Sequence, residues 1–118
     1  MAITCEITKN AIKVIDTARG TIVDVPITDS RTVTEVEHKL IAIANGATDT
    51  AINFGGVSAG KVFFAKSDQD VSFKLNGSAT GQPCNPMILM IDDDGGYTEA
   101  TVTNASGSTA NIDLVIAG

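Results

Sequence analysis

Lys61-Val62-Phe63-Phe64-Ala65-Lys66, then Ser67-Asp68-Gln69-Asp70, then Val71-Ser72-Phe73-Lys74-Leu75 is the stretch that decides the fold. Two runs rich in Val and Phe flank four polar residues. In the second run Val71, Phe73 and Leu75 alternate with Ser72 and Lys74. Successive side chains of a strand point to opposite faces, so a period of two buries one face and wets the other. The pair reads as a hairpin closed by residues 67–70. Phe63 and Phe73 are expected in the core, and Phe64 on the face opposite Phe63.

The same signal recurs outward from this centre. On the N-terminal side, Ile3, Cys5 and Ile7 alternate with Thr4, Glu6 and Thr8, and Ile12 and Val14 continue the pattern. A turn is expected at 17–20. Residues 21–27 place Val23, Val25 and Ile27 on one face, and Pro26 suits an edge strand or a bulge. Residues 32–37 alternate without a clean apolar face. Residues 39–44 are more continuously apolar, as in a strand covered on both faces. Asn45-Gly46 is a strong turn signal, and 51–54 is a short strand. On the C-terminal side, 76–86 reads as a loop rich in Gly, Ser, Pro and Asn. Residues 87–91 form a strongly apolar strand, 92–96 a turn, and 97–103 with 110–116 a closing hairpin.

Turns spaced at roughly ten residues are the rhythm of a β-sandwich or barrel. Ile, Val and Thr carry two heavy atoms on Cβ and favour extended backbone, which argues against a helix over 33–44. The expectation is an all-β chain: one β-sandwich domain over 1–118, jelly-roll-like, of about eight to ten strands.

Composition bounds the function. The chain has 118 residues, 43% hydrophobic and 19% charged, which is too apolar for a disordered segment. The formal net charge is −6. Residues 75–118 hold Asp92, Asp93, Asp94, Glu99 and Asp113 and no Lys or Arg. Such a segment repels a polyanion, and 4% aromatics supply no stacking platform, so no nucleic-acid partner is expected. No apolar run reaches the roughly 20 residues a bilayer span needs, so no membrane partner is expected either. Cys5 and Cys84 lack metal-ligand spacing, and whether they are bonded stays open.

Several residues invite chemistry. His38 stands beside Glu37 in a strand pattern, with no nucleophile on a sharp turn to complete a triad. Asp92, Asp93 and Asp94 are weak candidate metal ligands. Clustered carboxylates suit a hard cation, but the rest of a calcium loop is missing, and a solvated Asp/Gly turn explains them. Gly55 and Gly60-Lys61 echo a phosphate loop, yet Val62 stands where Ser or Thr belongs and strand follows where helix is required. Phe64 and Tyr97 are interface candidates. No catalytic residues, no enzyme activity and no cofactor are expected.

Residues 53–118 carry a resemblance. Lys66-Ser67-Asp68 forms a Ser-Asp turn, Phe73-Lys74-Leu75-Asn76-Gly77 a strand ending Leu-Asn-Gly, and Val102-Thr103-Asn104-Ala105-Ser106 opens the closing hairpin. This resembles small β-sandwich virion proteins of tailed bacteriophages, including capsid decoration (cement) proteins. The resemblance implies a non-enzymatic protein that binds the outside of a phage head and stabilises subunit junctions. Its partners would be the major capsid protein or other virion proteins, and its place the virion, assembled in the host cytoplasm. A tail- or fibre-associated module that binds a receptor or glycan is the alternative. A homo-oligomer, dimer or trimer, is expected because edge strands invite pairing.

Overall fold

In a computed structural model of the chain, the described residues are 3–16, 18, 20–92 and 94–118, with side chains described at 18, 32–92 and 94–118. All described regular structure is strand. The chain divides into two compact units, Met1–Val33 and Thr34–Gly118. The sandwich expected over 1–118 is built within the second unit alone.

The first unit is an antiparallel two-stranded ladder of β1 (Ile3–Asp16) and β2 (Gly20–Val33). Its turn falls at the expected place, around Ala18. In β1 the apolar positions switch from odd numbers (3, 5, 7) to even ones (12, 14). The ladder carries a register shift of one residue between Ile7 and Asn10. An extra residue of this kind keeps both sets at one parity of the ladder, opposite Val33, Asp29, Val25 and Val23.

The second unit is the sandwich. Its strands are β3 (Val36–Ile43), β4 (Thr50–Ala51), β5 (Val62–Ser67), β6 (Val71–Leu75), β7 (Gln82–Cys84), β8 (Met87–Ile91), β9 (Ala100–Asn104) and β10 (Ala110–Ala117). One sheet has the order β3-β10-β5-β8 and the other β4-β9-β6-β7, with every pairing antiparallel. The chain alternates between the two sheets at every step except β6 to β7. This is the double Greek-key order of a jelly roll.

Alternation makes the core. Val71, Phe73 and Leu75 of β6, Ala100 and Val102 of β9, and Ala110, Ile112, Leu114 and Ile116 of β10 are buried between the sheets. Phe63 is fully buried at the centre. Its ring stands edge-on to Phe73 at 5.4 Å and to Tyr97 at 6.4 Å, with Phe54 tilted at 6.4 Å. Such offset aromatic contacts favour the ring quadrupoles beyond the area they bury.

Two expected hairpins are arches instead. β5 pairs with β10 and β8, whereas β6 pairs with β9 and β7, so residues 68–70 cross from one sheet to the other. β9 and β10 likewise lie in different sheets across 105–109. Each arch has a buried polar residue at its corner, and Ser67 and Asn104 are the buried polar side chains among the described residues. Ser67 Oγ donates to Gln69 O and accepts from Gln69 N. Asn104 Nδ2 donates to Ile43 O and Ser108 O, while its Oδ1 accepts from Ser106 N and Ser106 Oγ. A chain leaving one sheet takes its backbone groups out of the ladder, and these side chains replace the lost partners.

Three smaller expectations also change. Residues 76–86 contain β7, which pairs with β6 as a true hairpin. The run at 32–37 breaks at Thr34 and Glu35, whose N–H groups both donate to Gly118 O and tie down the chain end. Of residues 39–44, those up to Ile43 belong to an edge strand, and Leu40 there is 79% exposed, not covered on both faces.

Candidate functional site

The outer faces of the two sheets differ in chemistry. The second sheet turns outward Ser72 and Lys74 of β6, Thr101 and Thr103 of β9, and Pro83 of β7, a mostly hydroxylated surface. The first sheet turns outward a largely apolar one. Its register aligns His38, Val115, Phe64 and Leu89 in one row and Leu40, Asp113, Lys66 and Met87 in the next. Leu40 and Met87, 79% and 50% exposed, stand at opposite ends of the second row, Val115 and Phe64 are half-buried inside the first row, and Leu89 is half-buried at its β8 end. With strands about 4.8 Å apart, a row spans about 14 Å. A groove of about 450 Å³ opens at one end, between Leu40, Ala42, Lys66, Asp68, Asn111 and Asp113.

Several polar groups on this face are paired. His38 Nε2 lies 2.7 Å from Asp113 Oδ1, with both side chains well exposed. Asp113 sits across the ladder from Lys66. Asp68 accepts from Asn111 N and Nδ2, and those bonds hold its carboxyl below the usual carboxylate range.

Phe64 lies on the outer face, half-buried between Val115 and Leu89. Tyr97, the other interface candidate, does not: it is 9% exposed and packs on Phe63 in the core. Its backbone bridges Gly60 in both directions at 2.7 Å. That approach gives Gly60 its own reason to be glycine, since a Cβ there would sit 2.8 Å from Ile116 Cγ2. The phosphate-loop reading gains nothing, because Val62 opens a strand.

In the acidic turn, Asp92 Oδ1 accepts from Asp94 N at 2.8 Å, and Gly95 and Gly96 take positive φ of 99° and 72°. Asp93 lies outside the described residues. Among the described residues no cluster of three or more His, Cys, Asp or Glu side chains has metal-binding geometry, and no helix is long and apolar enough to cross a membrane. Cys84 is a free, buried thiol in β7, within 3.6 Å of Ala65 O and Pro86 O.

Burial raises the pKa of Cys84, and burial followed by the Asp92 carboxylate raises that of Tyr97. Both groups fold in their neutral forms. The unfolded chain ionises first, Cys84 near 9.0 and Tyr97 near 10.0. Stability is then complete below that range and is lost as pH rises through it. Thermal melts should be flat from about pH 6 to about pH 8.5 and fall above it, and Tyr97→Phe should flatten the upper part of that limb.

The residues absent from the sequence-based candidates are Leu40, Met87, Leu89 and Val115. One signal was legible: Met87 to Ile91 is apolar at both parities, so a strand there presents an apolar side beyond the core. Charge also divides by unit. Lys9, Lys13, Arg19 and Arg31 balance Glu6, Asp16, Asp24 and Asp29, so the whole net charge of −6 falls on Thr34–Gly118. No protein-family model matches the chain, and neither a curated protein nor a solved structure does.

Proposed function

We propose that the chain is a non-enzymatic structural protein of a tailed-phage virion, of the capsid decoration type. It binds the outside of the head and stabilises junctions between capsid subunits. The observation that carries this reading is the apolar outer face of the β3-β10-β5-β8 sheet. Exposed apolar side chains gathered on one face, here Leu40, Val115, Phe64, Leu89 and Met87 around the charged Asp113 and Lys66, mark an interaction surface. The jelly roll is an architecture that viral capsid and lectin domains share, which adds support by analogy only. The sequence style of 53–118 points the same way.

The mechanism is additive. Full burial of an exposed Leu or Met is worth about 1.5–3 kcal/mol, so Leu40, still 79% exposed, would contribute most of that when a partner covers it, and Met87, half-buried already, about half. One face of this size supports a modest affinity, and many copies on a repetitive shell multiply it. The acidic sandwich favours a shell surface with basic patches around the apolar contact.

The test is a particle reconstruction combined with pelleting of the chain on undecorated heads. Density on the head exterior, with the β3-β10-β5-β8 sheet against the shell, is the expected result. Leu40→Glu with Met87→Glu should weaken pelleting by about 100-fold, because each lost anchor is worth about 1.4 kcal/mol, a factor of ten. The unfolding midpoint should barely move, since both sites are exposed. Absence from purified virions would overturn the proposal. Density confined to the tail would favour a receptor- or glycan-binding module.

A further inference from the structure

We propose that the free edge of β8 is a homotypic pairing edge, on which β8 of a second copy adds antiparallel about a two-fold axis through Leu89. This inference does not depend on the virion reading.

The sandwich has four sheet edges, and three are guarded. An open edge offers unpaired N–H and C=O groups to any extended chain, and proteins blunt such edges with shortness, proline or inward-pointing charge. β4 has two residues, and β7 has three with Pro83 among them. β3 is long, but Glu37 and Lys39 share its inner parity with Ile41 and Ile43. Lys39 Nζ donates to Asn53 O and lies 3.8 Å from Glu37 Oε1, so this edge carries an inward charge pair. β8 has none of these devices: Met87, Ile88, Leu89, Met90 and Ile91 are all apolar.

The backbone of β8 is set for pairing. Asp92 N donates to Lys61 O, and Ser67 N donates to Pro86 O. With Phe63 opposite Met90 and Ala65 opposite Ile88, residues 86, 88, 90 and 92 direct their backbone groups at β5. In an antiparallel ladder the alternate residues face the other way. The N–H and C=O groups of Met87, Leu89 and Ile91 therefore point out of the sheet, unpaired among the described residues.

A second β8 meets all of them. Centred on Leu89, an antiparallel pairing sets Leu89 opposite its own counterpart and Met87 opposite the second copy's Ile91. Every free donor then faces a free acceptor, and the side chains on the outer face meet apolar to apolar. Charge selects this orientation. Parallel pairing would stack the two Asp92 carboxylates side by side. The antiparallel one sets Asp92 beside Pro86 and separates the two Asp92 positions by about 20 Å of strand, beyond the Debye length of about 8 Å. Two four-stranded sheets become one continuous sheet, and the row His38, Val115, Phe64, Leu89 runs on into its two-fold mate.

The experiment is the mass of the full chain by sedimentation over a concentration series, with three variants. The wild type should approach twice 12.2 kDa as concentration rises. Leu89→Pro removes a donor that β5 does not use and suits an edge strand, so it should keep the circular dichroism of the wild type and lose the dimer. In a Cys5→Ser background, Leu89→Cys should cross-link to a covalent dimer on oxidation, because facing residues of a hydrogen-bonded pair lie about 5.5 Å apart at Cα. Leu40→Cys, exposed on the far edge, should form no covalent dimer under the same oxidant. A wild type monomeric at every concentration overturns the proposal, as does a dimer that survives Leu89→Pro or cross-linking as fast at 40 as at 89. If Leu89→Pro fails to fold, the cysteine pair decides.

Discussion

Phe63→Ala is expected to lower the unfolding free energy by about 3–5 kcal/mol, the range for deleting a buried aromatic ring. Phe63 is fully buried, and it contacts Phe54, Phe73 and Tyr97. These partners come from the loop before β5, from β6 in the opposite sheet and from the segment before β9. Removing the ring opens a void that no single strand can close, since both sheets are pinned by their own ladders. A small domain has about 5–15 kcal/mol of stability in total, so the variant should sit near its unfolding threshold at 37 °C. Denaturant titration is the check. A lowered midpoint with unchanged slope is expected. A loss below about 1 kcal/mol would mean that the aromatic cluster is not the centre of the core.

Asn104→Ala is expected to cost about 2–4 kcal/mol, because one buried amide serves four hydrogen bonds at about 1 kcal/mol each. Asn104→Asp is the sharper variant. Its volume is nearly the same, but an ionised carboxylate only accepts, and it would face Ile43 O and Ser108 O where the amide donates. The Asp variant should be less stable than the Ala variant at pH 7. It should recover as pH falls through the carboxyl's raised pKa, since the protonated acid can donate again. Urea midpoints at pH 7 and pH 4.5 would measure this. Equal midpoints for the Asp variant at both values would show that the β9–β10 arch does not need the amide's donors.

Both variants act on features that the sequence exposes to different degrees. Phe63 and Phe73 were legible as core, Phe73 from the apolar parity of an alternating run and Phe63 from a four-residue apolar run flanked by Lys61 and Lys66. Asn104 was not, since Asn in a run of Asn, Ser and Gly reads as a solvated turn. Burial of that Asn follows from the crossing of sheets, which no local pattern announces.

The candidate face was legible in pieces. Phe64 was identifiable from its parity opposite Phe63, and Met87 to Ile91 from its unbroken apolar character. Tyr97 looked like a contact residue by its place after an acidic turn, but its bridge to Gly60 draws the ring inward.

The sequence by itself determined that the chain is all-β, where most of its turns fall and which face of β5 and β6 is buried, because β-branched residues at period two and Asn-Gly turns act within a few residues. Only the tertiary structure decided that 61–66 and 71–75 belong to opposite sheets, that β8 ends a sheet with a free edge, and that Leu40, Phe64, Val115, Leu89 and Met87 share one surface. Alternation says that one face of a strand is buried but not against which partner. A hairpin and an arch bury the same residues across the same short connection. The choice between them lies in long-range ladders, β5 with β10 and β6 with β9, whose hydrogen bonds join backbone groups that carry no residue identity.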